Sequence, residues 1–149
     1  MRSDGSRAQV AAHRLVHCVL DSDSDGLTSE LETVVEQGDQ LKSYVREVVA
    51  ELLQVGAAAV RDNMGPNDEP AFAVDLRDGS NETVSIDELD PPVRATIRAL
   101  LADLNGCPAD AQFQLDLVVR QLDPLTGLDT VRRALTMTVA LLQWSGDAE

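Results

Sequence analysis

The chain predicts a mainly α-helical fold: a bundle of about five antiparallel helices with a small β-hairpin inserted at residues 70–87. Three observations lead there. Apolar residues recur at helical spacing over most of the length, and the longest such run covers residues 28–63. Pro and Gly fall where helices should start and stop, at Asp90-Pro91-Pro92, Asn105-Gly106 and Asp123-Pro124. Hydrophobic content of 44% in 149 residues suffices for one buried core, and with only 3% aromatic residues that core must be built from Leu, Val and Ala. The whole chain, 1–149, is therefore read as one domain.

Residues 1–6 are polar and are expected to be flexible. Over residues 7–20, Ala11, Ala12, Leu15, Val16, Val19 and Leu20 share one side of a helix, with His13, Arg14 and His17 opposite. Residues 21–28 follow as an acidic inter-helix loop. In the central run a heptad begun at Leu31 puts Leu31, Val34, Gly38, Leu41, Val45, Val48, Leu52, Val55 and Ala59 at its a and d positions. Ser29 and Glu32 have the spacing of a capping box at its start. Gly38 is the weak point, because a mid-helix glycine costs about 1 kcal/mol relative to alanine. It either admits a neighbouring backbone or marks a break, with Asp39 capping a second segment. The stripe Leu31, Val34, Leu41, Val45, Val48 and Leu52 is a candidate interface; it suits the core of a bundle first and a homodimer seam second.

Segments 71–76 and 82–86, joined by the turn-forming RDGSN, read as the two strands of the hairpin. Asp90 is expected to cap the next helix, opened by Pro91-Pro92, in which Val93, Ile97, Leu100, Leu101 and Leu104 align. Arg94 and Arg98 line its polar side. Residues 109–122 fit a helix through Ala111, Leu115, Val118 and Leu122, although AQFQLDL also alternates like a strand. Length and flanks favour the helix; the strand would make the class α+β, with a three-stranded antiparallel sheet. Leu128, Val131, Leu135, Thr138, Val139 and Leu142 then form a last helix, and Trp144 near its end is expected to cap the core.

Charge narrows the function. Asp and Glu number 26 against 12 Lys and Arg, leaving a net charge of −14. Such a surface disfavours direct contact with nucleic acid or anionic membranes, both of which recruit cationic groups. It permits solubility, cation binding or docking onto a basic partner. Cys18 and Cys107 lie far apart and outside any metal-binding spacing, so both are expected to be buried, reduced thiols in a cytoplasmic protein. No apolar run is long enough to span a bilayer. Phosphate-binding glycine loops, nucleophile elbows and Ser/His/Asp spacings are missing, which leans against an enzyme. His13 and His17, one helical turn apart, could reach a metal together with Asp21, although two solvated histidines are the simpler expectation.

The segment DSDSDGLTSELE, residues 21–32, resembles an EF-hand calcium loop. Asp21, Asp23 and Asp25 match its first three ligand positions, Gly26 its turn glycine and Glu32 its last ligand, while Leu27 would offer a carbonyl. The resemblance implies a bound calcium ion, and it covers only this segment. Thr28 stands where the family carries an aliphatic residue, no second loop occurs, and Thr33, Glu36 and Gln37 replace the apolar start of the exit helix.

Three functional readings follow. The first is a non-catalytic acidic helical module for protein interaction or assembly, whose partner is a basic protein or a second copy of itself. The second is a calcium-responsive protein that uses the single loop at 21–32. The third is an acidic decoy that imitates nucleic acid toward a basic partner.

Overall fold

The computed structural model describes residues 3–62, 80, 82, 84–120 and 122–147. Among them are six α-helices: α1 Ser3–Leu20, α2 Ser24–Val35, α3 Leu41–Asp62, α4 Pro91–Leu104, α5 Pro108–Val118 and α6 Pro124–Asp147. Two short 3-10 turns, Gly38–Gln40 and Ile86–Glu88, complete the order. The helical class stands; the hairpin is not supported. Most of 70–87 lies outside the described residues, no described residue is in a strand, and Ile86 belongs to a 3-10 turn capped by Ser85. Helix α1 already begins at Ser3, inside the segment expected to be flexible.

The sixth helix arises because the central run breaks at Gly38, which adopts φ +60. Glycine enters this left-handed region without the Cβ penalty of other residues, so the chain bends there and restarts as α3. Asp39 sits in the intervening 3-10 turn and does not cap the new helix. Both halves keep their apolar side inward: Val34, Leu41, Val45, Val48 and Leu52 are buried, and Leu31 is half-buried against the same core. The candidate interface stripe therefore packs largely within the chain's own core.

Connections follow local chemistry. At the end of α1, Ser22 takes φ 58, Asp23 N–H bonds the Cys18 carbonyl (2.8 Å) and Ser22 N–H the Val19 carbonyl (3.2 Å). This is a Schellman stop with serine where glycine is usual. Asp23 then starts α2, its Oδ1 accepting from Gly26 N–H at 3.0 Å. The expected loop therefore shrinks from 21–28 to three residues, 21–23, and Ser29 lies inside α2 instead of capping it. A second Schellman stop ends α4, with Gly106 at φ 76 and Cys107 N–H on the Ala102 carbonyl at 2.8 Å. It folds α5 back on α4. Asp90 makes no side-chain cap, and Pro92, the second helical residue, lacks one of the two N–H donors that a cap would use. Segment 108–118 is a helix: Ala111, Leu115 and Val118 are buried, whereas Phe113, which a strand would place beside Leu115, is 58% exposed.

Helix α3 is central, packing on α6 above all and also on α1, α4 and α5. Helices α1 and α2 reverse, as do α4 and α5, but the α3–α6 pair is parallel, unlike the antiparallel expectation. Along it Val45 faces Gly127, the Leu52 carbonyl accepts the buried Thr138 hydroxyl at 2.9 Å, and Gly56 meets Leu141. Helix α5 runs the other way, Arg46 reaching Asp116 and Gln112 while Lys42 reaches the Arg120 carbonyl. Trp144 falls within α6, with its side chain outside the described residues.

Two outcomes test this packing in urea denaturation. A Cβ at Gly56 would meet Leu141 Cδ1 at 2.9 Å. Gly56→Val should therefore push α6 away and cost about 1–3 kcal/mol, with an unchanged midpoint counting against the contact. Ser22→Gly relieves a left-handed serine and should stabilise by roughly 0.5–1 kcal/mol; a loss would contradict the Schellman turn.

Candidate functional site

Two surfaces carry the charged chemistry. The first is the α1–α2 hairpin. Every charged residue between positions 21 and 41 is a carboxylate. On α2, Leu27, Leu31, Val34 and Val35 turn inward, and Asp25, Glu32 and Glu36 are exposed on the outer side with Asp39 just beyond. Across the hairpin Arg14 approaches Glu30 at 3.6 Å, and Arg7 donates to Gln37 Oε1 at 3.2 Å while stacking over Tyr44, 5.5 Å from its ring centre. Asp25 in the first turn of α2 also complements the positive end of the helix dipole.

This geometry does not gather the calcium ligands. Gly26 is helical, not the sharp bend of a binding loop, and Leu27 and Glu32 lie within α2. Asp23 spends an oxygen on Gly26 N–H, and Asp21 and Asp25 flank it on exposed backbone. The physical reason is competition: Asp-Ser-Asp makes one helix stop and one helix cap, and the cap winds the expected loop into α2. His13 and His17 are exposed on α1. Among the described residues no group of three or more His, Cys, Asp or Glu is placed to hold a metal ion.

The cysteines differ from expectation. Cys18 is half-buried, Cys107 is exposed, and both are free thiols. Burial, and then the carboxylates of Asp23, Glu30 and Asp21, push the Cys18 thiol up, which disfavours the nucleophilic thiolate.

The second surface is a groove of about 540 Å³ where α4 and α5 meet the start of α6. Ala95, Leu117 and Val118 supply apolar lining, and Arg94, Arg98 and Arg120 supply charge. The adjacent 3-10 turn rests on two of these arginines. Arg94 donates to the Asp87 carbonyl at 3.2 Å, and Arg98 meets the Asp87 carboxylate at 2.9 Å. The periodicity of α4 puts Arg94 and Arg98 on one side, so that half was legible in the sequence. Arg120 was not, because only the packing of α5 against α4 carries it to the same groove.

Comparison with protein-family models, curated proteins and solved structures returned no match. No helix among the described residues is long and apolar enough to cross a membrane.

The helical form of residues 24–32 has a direct consequence for calcium. Millimolar calcium should leave the melting temperature where chelator leaves it. A true site at about 100 times its dissociation constant would add roughly 2.7 kcal/mol, so a rise that Asp21→Ala abolishes would mean that α2 unwinds to bind the ion.

Proposed function

We propose that this protein is a non-catalytic interaction module whose α1–α2 hairpin docks on a basic surface of a partner protein. One observation carries the reading: the outer side of α2 collects carboxylates without internal cations. Among the described residues, none of Asp25, Glu32, Glu36 and Asp39 enters an ion pair. Elsewhere basic side chains pair with the chain's own carboxylates, Arg46 with Asp116, Arg98 with Asp87 and Arg133 with Asp129. The acidic surplus is thereby left concentrated and outward-facing. Such a field speeds encounter with a basic partner and sets orientation more than it adds affinity. The rigid turn at 21–23 holds the acids on one helix, which favours one docking geometry over diffuse attraction.

Glu32→Gln/Glu36→Gln should change stability by less than about 0.5 kcal/mol, as exposed substitutions do. It should also abolish recovery of a basic partner in affinity capture from extract. Asp62→Asn/Asp110→Asn, which removes equal charge elsewhere, should retain recovery, and recovery should fall as salt rises. Equal loss in both variants would remove α2 as the docking face.

A further inference from the structure

A chain with 26 acidic residues contains a groove that no described carboxylate lines. The groove between α4 and α5 instead brings together Arg94 and Arg98, one turn apart on α4, and Arg120, just past the end of α5. Its volume of about 540 Å³ is that of a small-molecule site, which typically spans roughly 300–1,000 Å³. The acidic α2 hairpin does not cancel this local charge, because exposed charges farther away than about 8 Å are largely screened at physiological salt.

The arginines already show what they take. Asp87, on the rim, gives a carbonyl oxygen to Arg94 and a carboxylate oxygen to Arg98. That carboxylate is 76% exposed, so it holds the edge of the groove through an exchangeable bridge. Arg120, whose carbonyl is held by Lys42, gives its guanidinium to no carboxylate among the described residues. Gln114, also in the lining, buries its Oε1 without a donor among the described residues. Planar guanidinium forks match carboxylate and phosphate oxygens, and the apolar lining asks for hydrocarbon beside them.

We propose that this groove binds a small organic anion, a carboxylate or phosphate head between Arg98 and Arg120 with an apolar body against Leu117 and Val118. Asp87 is the internal anion that such a ligand displaces, and a ligand hydroxyl or N–H satisfies Gln114. The inference is independent of the docking role of α2.

Titration calorimetry of the full chain with octanoate, octyl phosphate and inorganic phosphate tests it. One octyl compound should bind saturably and more tightly than inorganic phosphate, and the better of the two identifies the head group. Arg98→Gln and Arg120→Gln should each weaken that binding about fivefold or more, and Asp87→Asn should strengthen it about threefold by removing the competitor. Arg120→Gln breaks no side-chain bond within the described residues, so it reads binding even where Arg98→Gln loosens the rim. Three results would overturn the proposal: no saturable binding, inorganic phosphate as tight as the octyl compounds, or equal weakening by Arg132→Gln outside the groove.

Discussion

The parallel contact between α3 and α6 is the constraint on which the remaining structure depends. Two long helices can run side by side this closely only where side chains yield, and here Gly56 and Gly127 yield. The buried Thr138 hydroxyl stands between the carbonyls of Leu52 and Ala134, 2.9 Å from each, giving the dry interface a polar registration point. The Ala134 carbonyl satisfies that hydroxyl within α6, and the Leu52 carbonyl adds an acceptor across the pair that favours one register. Helix α1 packs against the same α3, and the α4–α5 hairpin closes another side.

Helix ends decide the rest of the architecture. The three residues 21–23 both stop α1 and start α2. The Schellman stop at Gly106 performs the same task between α4 and α5. Tight reversals of this kind bring residues distant along neighbouring helices onto one surface, and in that way the α4–α5 hairpin assembles its arginines.

Charge is partitioned accordingly. Cations are held at helix–helix junctions, where Arg46 bridges α3 to α5 and Arg14 faces Glu30 across the first hairpin. Exposed pairs of this kind contribute little to stability, below about 1 kcal/mol each. Their larger effect is to leave the acids of α2 uncompensated on one side of the molecule and the arginines of the groove gathered on another.

Composition and periodicity by themselves determined the helical class, the apolar faces of α1, α3, α4 and α6, and the acidic character of 21–39. These are local properties, set by which residues recur every three or four positions and by where Pro and Gly interrupt them. Gly38 was legible as a weak point, but whether it admitted a neighbour or broke the helix depended on whether Val34 and Leu41 could both reach one core. They do, at the cost of a bend. The calcium-loop pattern is ambiguous because its aspartates are also good helix stops and caps, and the sequence does not say which competing use prevails. The parallel pairing of α3 with α6, the burial of the apparent interface stripe and the meeting of Arg120 with Arg94 and Arg98 were decided by tertiary structure alone. Each joins residues far apart in the chain, and such contacts form only when packing brings their helices together.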